Sequence, residues 1–211
     1  MDLYNLREEY MSHKLDIEDV DKSPITQFQL WFNEALAVKI YEPNAAILAT
    51  ANSQGHPSAR VVLVKSFSEK GFDLFTNYES RKGKELKENP FAAIVFYWPE
   101  LERQVRIEGS VSILNAAESD NYFESRPVGS RLGAWASPQS QVIADRTWLE
   151  EKHNEIREKF KHGSVPRPEN WGGFRLNPDM IEFWQGRQNR LHDRIAFFRE
   201  NNQWNIKRLA P

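Results

Sequence analysis

The stretch Trp184-Gln185-Gly186-Arg187-Gln188-Asn189-Arg190-Leu191-His192-Asp193-Arg194 concentrates groups able to hold an anion. It lies between two strand-like runs, Met180 to Phe183 and Ile195 to Phe198, so Gly186 to Asn189 read as the turn of a β-hairpin. Alternate side chains of a strand share a face, which predicts Arg190, His192 and Arg194 on one side of the returning strand. Three cation-capable groups on one face make an anion site, although the same pattern also describes the solvated face of an edge strand.

Other stretches offer anion chemistry. Ser80 caps a predicted helix that opens Arg81-Lys82-Gly83-Lys84, where the partial positive charge of a helix start ordinarily favours Asp or Glu. Either both cations swing into water or a phosphate sits on the free backbone N–H groups, with charge-assisted bonds of about 1.5–3 kcal/mol each. Tyr122 and Arg126 are four apart on a helix and project together, with Ser130 following in a Gly129-Ser130-Arg131 turn. A phenol, a guanidinium fork and a hydroxyl suit a phosphate, though such pairs are common on surfaces. Arg60 and Lys65 bracket the apolar run Val61-Val62-Leu63-Val64, either as charges leaving the core or as ligand contacts.

These groups must be positioned by strands and helices. Ser23-Pro24 starts a packing helix with Ile25, Phe28, Trp31, Phe32, Ala35 and Leu36 at helical spacing, ended by Glu42-Pro43. Ala45 to Ala51 and Ser58 to Phe67 make a hairpin whose second strand is expected to be mostly buried. Further strands are predicted at Phe72 to Asn77, Phe91 to Trp98, Arg103 to Leu114 and Trp204 to Leu209. In the third of these four runs, Gln104, Arg106 and Glu108 alternate with Val105, Ile107 and Gly109, as in a barrel wall. Helices follow at Asn115, with a capping-box start, and over 145–162. Residues 1–22 read as a mobile arm with a short helix around Leu3 to Met11, which puts Arg7 and Tyr10 on one face; residues 23–211 form the main domain.

Bulk properties narrow the functional class. The 28 basic and 30 acidic residues nearly cancel, against a nucleic-acid protein, and any cationic patch must be local. No cysteine is present, which removes disulfides, thiolate catalysis and Cys-bound metal. The five histidines lack metal-ligand spacing, so no metal is expected. No apolar run suits a membrane span or a signal peptide, so a cytoplasmic location is expected. There is no G-x-G-x-x-G after a strand, no P-loop, no G-x-S-x-G and no H-E-x-x-H. Few nucleophiles beside many Arg, Lys and Gln suit a cofactor that brings its own reactivity.

The hairpin with its flanking tryptophan, the Arg60-Val61-Val62-Leu63-Val64-Lys65 strand and the C-terminal Arg208-Leu209-Ala210-Pro211 resemble the pyridoxine/pyridoxamine 5′-phosphate oxidase family. The resemblance runs from about Arg7 to the C-terminus. It implies a mainly β fold with surrounding helices, a Greek-key split β-barrel of about six strands that binds FMN at a homodimer interface. The implied FMN contacts are Arg60, Val61, Lys65, Phe75, Thr76, Arg81, Lys82, Gln104, Gln139, Ser140, Trp184 and Arg194. The implied substrate contacts are Lys65, Tyr122, Arg126 and Ser130 at a phosphate, Arg190 and His192 at the pyridine ring as the catalytic pair, and Arg7 and Tyr10 from the arm. The implied reaction oxidises pyridoxine 5′-phosphate or pyridoxamine 5′-phosphate to pyridoxal 5′-phosphate with O2 as acceptor, yielding H2O2, and ammonia from the amine. Another FMN-dependent oxidoreductase on the same barrel, or a non-catalytic carrier of pyridoxal phosphate or flavin, fits the same residues.

Overall fold

The structure, a computed structural model, describes residues 2, 4, 9, 10 and 13–211. Arg7 and most of the helix expected around Leu3 to Met11 lie outside those residues. The first helix, α1 (Pro24–Ala37), begins where Ser23 accepts the Thr26 N–H and proline occupies the first turn. It stops at Ala37, ahead of the expected Glu42-Pro43. Its apolar stripe buries Ile25, Phe28, Trp31 and Ala35. Phe28 meets Phe67, Phe72 and Phe96 at ring separations of 4.8, 5.0 and 5.0 Å, while Trp31 meets Phe183 at 5.2 Å. These edge-on and tilted contacts are the favoured arrangements of aromatic quadrupoles, and they anchor the helix to the sheet.

The sheet has nine antiparallel strands among the described residues, not about six. They are β1 (Ala45–Ala51), β2 (Pro57–Leu63), β3 (Ser66–Ser68), β4 (Gly71–Asn77), β5 (Phe91–Trp98), β6 (Arg103–Ile113), β7 (Trp171–Gln185), β8 (Asp193–Glu200) and β9 (Gln203–Leu209). The main order is β2-β1-β5-β6-β7-β4-β3, with β8 on β7 and β9 on β8. The long β7 explains how one strand serves two neighbours on the side away from β6. Its first half pairs with β4, from Trp171 to Leu176, and its second half with β8, from Met180 to Gln185. A register shift opposite Pro178 separates the halves, where proline has no N–H to give the ladder.

Two expectations about strands need correction. The run Ser58 to Phe67 is two strands, β2 and β3, and β2 lies at a sheet edge with alternating exposure instead of burial. Val61 is 68% exposed, so an apolar run here marks an uncovered edge and not a core strand. The second is an omission: no strand is predicted over Trp171 to Arg175, which is the start of β7. Its glycines look like loop residues but permit close packing, since a Cβ on Gly173 would come within 2.4 Å of Leu114 and 2.8 Å of Phe75.

The remaining helices flank the sheet. They are α2 (Arg81–Glu88), α3 (Ala116–Ser125), α4 (Val128–Ala136) and α5 (Arg146–Lys159). The Asn115–Glu118 capping box forms as expected. Ser130 sits inside α4, not in a turn, because Pro127 fixes the entry and the glycines that follow do not break the helix. No helix among the described residues is long and apolar enough to cross a membrane.

Candidate functional site

A cavity of about 510 Å3 opens where the end of β2, β4, the start of α2, the α3–α4 corner and the start of β7 converge. Val61, Val62, Leu63 and Lys65 line one side, Phe75, Thr76 and Lys82 another, and Tyr122, Arg126, Pro127, Ser130, Gln139 and Trp171 the rest. Segments up to 110 residues apart in sequence (Val61 to Trp171) meet here, and no carboxylate lines the space. Phe75, Tyr122 and Trp171 lie nearly parallel, with Phe75 and Tyr122 centred 4.0 Å apart at 24°. This gives the cavity flat aromatic walls.

Among the described residues, the cations in the cavity lack counter-charges. Lys82 Nζ donates to the Thr76 and Ser80 hydroxyls, at 3.0 and 3.4 Å. Its pKa is lowered by burial and then by the charge of Arg60. Arg126 lies over the Trp171 ring at 4.6 Å, and its Nη1 is buried with no hydrogen-bond partner among the described residues. Burial lowers its pKa, an effect offset in part by Tyr122, whose own hydroxyl is raised by burial. Lys65 is exposed at the rim and forms no ion pair among the described residues. A guanidinium nitrogen buried without a partner among the described residues costs free energy, which an anion meeting these donors would offset. Gln139 closes one side by accepting from the Thr76 hydroxyl at 3.0 Å and the Asn77 N–H at 3.4 Å. Ser140 beside it is exposed, with left-handed backbone at φ 70°.

Arg60 and Arg81 are arranged differently. Arg60 donates to Thr50 Oγ1 at 2.5 Å and to the Ser58 hydroxyl, and pairs with Glu85 at 3.4 Å. Arg81 also turns to Glu85, at 2.8 Å, so the helix-start cations do not both swing into water. Burial pushes the Glu85 carboxyl up, but hydrogen bonds from Ser58, Thr50 and Arg81 and the charge of Arg60 together bring it down to about 2.

The hairpin group lies at the other end of the sheet ladder. Gln104 on β6 faces Trp184 on β7, and Trp184 faces Arg194 on β8. Arg194 is held by Glu182 through two bonds of 2.8 and 3.0 Å, while Arg106 takes the same carboxylate at 2.7 Å. Burial opposes ionisation of Glu182, yet the two arginines keep its pKa below the ordinary value. The expectation that Arg190, His192 and Arg194 share one strand face is not met. β8 starts only at Asp193, and Asn189 and Arg190 turn through positive φ of 56° and 59° in a 3₁₀ turn over Gln188–Arg190. The extra turn residues break the alternation before Arg194.

His192 is placed instead by its neighbours. Its Nδ1 accepts the Arg187 backbone N–H at 3.1 Å, so the neutral ring carries its proton on Nε2. The ring lies 4.6 Å from Trp184 and 5.7 Å from Tyr10. Its pKa is lowered by burial and then by Arg190, whose exposed side chain makes no ion pair among the described residues. Within one chain this group and the cavity have no lining residue in common.

Comparison with known proteins is decisive about kinship. Residues 32–160 match the family model for pyridoxamine 5′-phosphate oxidase, and residues 171–211 match the pyridoxine 5′-phosphate oxidase C-terminal dimerisation region. The pyridoxine/pyridoxamine 5′-phosphate oxidase of Cyanothece sp. is 54% identical over 98% of this chain and 97% of its own length. The corresponding protein of Paraburkholderia phytofirmans is 54% identical over 99% of each. The chain belongs to the pyridoxamine 5′-phosphate oxidase family.

The oxidase fold also matches that of a solved relative, PhzG from Burkholderia lata in complex with tetrahydrophenazine-1-carboxylic acid. That match has a TM-score of 0.89 and 33% identity over 95% of this chain and 100% of that one. An FMN binding protein from Nostoc punctiforme shares the fold, with a TM-score of 0.70 at 18% identity over 91% of this chain and 100% of that one. The mainly β fold and an enzyme of the oxidase type are therefore established, and membership supports FMN as the cofactor. Of the residues expected to bind ligand, the structure gathers Val61, Lys65, Phe75, Thr76, Lys82, Tyr122, Arg126, Ser130 and Gln139 in one cavity. It gathers Tyr10, Trp184 and His192 in an aromatic cluster elsewhere. Sequence reasoning assigned no role to Trp171, hidden beside glycines, or to Arg187, whose peptide N–H meets His192 Nδ1.

Proposed function

We propose that this oxidase converts pyridoxine 5′-phosphate or pyridoxamine 5′-phosphate to pyridoxal 5′-phosphate, acting as a cytoplasmic homodimer with FMN. The observation that carries the reading is the cradle of Lys65, Lys82 and Arg126 against flat aromatic walls, free of carboxylates among the described residues, with a buried Arg126 nitrogen that no group among those residues satisfies. A phosphorylated aromatic ring supplies what this cavity lacks.

In this reading Lys65, Tyr122, Arg126 and Ser130 grip the substrate phosphate. Lys82, Thr76, Gln139 and Ser140, with Arg60, Arg81 and the edge residue Val61, hold FMN beside Phe75. Gln104, Trp184, Arg194, Arg190 and His192 belong to the second half of the site, which a second copy of the chain brings to the first. The chemistry that bound FMN supplies is acceptance of a hydride from substrate C4′ and delivery of the electron pair to O2, released as H2O2. With the alcohol, the hydroxyl proton leaves to solvent; with the amine, water hydrolyses the imine to aldehyde and ammonia. His192 acts as a donor through Nε2–H, because its other nitrogen is occupied by the Arg187 N–H. It therefore orients the ring, together with Arg190, and does not collect the substrate's proton. Tyr10, and Arg7 outside the described residues, cover the bound substrate from the arm. Good orientation of bound reactants is worth on the order of 7–11 kcal/mol at best, so binding groups suffice for a large rate effect.

The test is to load the purified protein with FMN and add pyridoxine 5′-phosphate without oxygen. Loss of the oxidised flavin bands, followed by about one equivalent of H2O2 on aeration, is expected. Bands unchanged by either vitamer, with tight ligand binding, would make the protein a carrier. Bleaching by a different donor alone would make it another oxidoreductase of the same barrel.

A further inference from the structure

The N-terminal arm and the hairpin are joined at one carboxylate. Asp193 Oδ2 accepts the Leu15 N–H at 3.1 Å, across 178 positions of sequence, and pairs with Arg187 Nη1 at 3.4 Å. Its other oxygen accepts Arg208 Nη1 at 2.8 Å. Arg208 in turn donates to the Leu15 carbonyl at 3.0 Å and pairs with Asp16 at 3.1 Å, while Arg187 donates to the His13 carbonyl at 3.3 Å. Leu15 is only 5% exposed and belongs to the hydrophobic core cluster. The arm is thus bound by a buried leucine and a ring of polar and ionic contacts that reach β8, β9 and the hairpin turn.

Each end of this ring leads to the hairpin site. From Leu15 the chain runs back to Tyr10, whose ring packs against Trp184 and His192 at 5.7 Å each. Gly186 leaves room for that ring, since a Cβ there would meet Tyr10 Cγ at 2.7 Å. The Tyr97 hydroxyl is raised in pKa by burial and by its hydrogen bond to Tyr10, so the arm also touches β5. From Arg187, the peptide N–H runs directly to His192 Nδ1.

We propose that Asp193 is a positioning residue that sets two parts of the site at once: the arm bearing Tyr10, through Leu15 and Arg208, and the Arg187 peptide that orients His192. Its effect on turnover rests on the functional reading above; its hold on the arm does not. The two branches separate by mutation. Arg208→Ala removes the contacts to the Leu15 carbonyl and Asp16, weakening the arm branch, and leaves the Arg187 pair intact, whereas Asp193→Ala disturbs both.

The experiment uses the FMN-loaded full chain. Trypsin cleavage of the Lys14–Leu15 bond reports the arm, and KM and kcat with pyridoxine 5′-phosphate report the site. Arg208→Ala is expected to speed cleavage by about tenfold and raise KM several-fold with kcat little changed, as opening of a segment held by two or three bonds predicts. Asp193→Ala is expected to add a fall of about tenfold in kcat, and Arg208→Lys to restore most of the protection. Unchanged cleavage and KM in Arg208→Ala, with only a lower Tm, would overturn the proposal. So would equal kcat in Arg208→Ala and Asp193→Ala. If Asp193→Ala does not fold, the Arg208→Ala and Arg208→Lys pair decides the arm branch, and Asp193→Asn, which keeps an acceptor for Leu15, decides the other. A wild-type protein that fails to oxidise pyridoxine 5′-phosphate would sink the functional reading, and the cleavage comparison would still decide the latch.

Discussion

Two groups of basic side chains in this chain, all half-buried, live under opposite rules. Around Glu182, Arg106 and Arg194 close on one carboxylate that is 2% exposed, and the charges are matched within the fold. In the cavity, Arg126 and Lys82 meet hydroxyls, aromatic faces and, among the described residues, no acid. Paired charges stabilise the fold whether or not they also face a ligand; unpaired ones need a ligand to complete them. The cost of holding the second kind is what a bound phosphate repays.

The sharpest way to break this contrast is at Glu182. Glu182→Gln leaves two guanidinium groups around an uncharged amide, and breaking a buried pair of this kind costs about 3–5 kcal/mol. A large drop in Tm is expected by calorimetry, with the midpoint of urea unfolding falling in step. If stability barely moved, the Glu182 cluster would not be the structural pole of the comparison.

Arg126→Ala tests the other pole. It removes a cation with no acid partner, so stability should stay within about 1 kcal/mol of wild type or rise slightly. Affinity for the phosphorylated substrate should fall about 100-fold, since two charge-assisted bonds carry roughly 3 kcal/mol. KM with pyridoxine 5′-phosphate and isothermal titration with inorganic phosphate check it. A strong loss of Tm with unchanged KM would reverse the assignment.

This contrast also marks what was legible in the sequence. Strand alternation over Arg103 to Gly109 could be read because each apolar residue faces one core, and the structure keeps that alternation. The Ser23 and Asn115 caps were readable because capping needs only a side-chain oxygen and its local N–H groups. The Tyr122, Arg126 and Ser130 grouping survived even though Ser130 proved helical, because proximity along the chain held it together. The Arg190–His192–Arg194 face failed because positive φ at two consecutive non-glycine residues has no reliable signature in residue type. β2 failed because an apolar run looks alike on a buried strand and on an uncovered edge. Pairing partners, such as Glu182 for Arg194 or Glu85 for Arg60, could not be read at all, because each spans a fold contact that no spacing encodes.

Glu85 offers a test of intermediate size. Its carboxyl is held at about 2 against an ordinary 4.5, so the ionised form is favoured in the folded state. The stability this provides is fully present above pH 4.5 and is lost as the pH falls toward about 2. Glu85→Gln should flatten the acid side of the stability profile in that window and lower stability at neutral pH by roughly 1–3 kcal/mol. An acid profile identical to wild type would mean that other carboxylates govern it.

Arg81 gives the smallest effect on stability and the finest discrimination. Its side chain is 64% exposed and pairs with Glu85 one turn along α2, a contact that in solvent is worth about 0.3–0.5 kcal/mol. Glu85 keeps Thr50, Ser58 and Arg60 when Arg81 is removed. Arg81→Ala should therefore leave Tm nearly unchanged. If Arg81 rotates from Glu85 to the FMN phosphate, the same substitution should weaken FMN binding about tenfold, the value of one charge-assisted bond in the range of 1.5 kcal/mol. Flavin fluorescence titration of the apoprotein measures it. FMN affinity equal to wild type would place Arg81 with the structurally matched charges and leave Lys82 as the cation that α2 gives to the ligand.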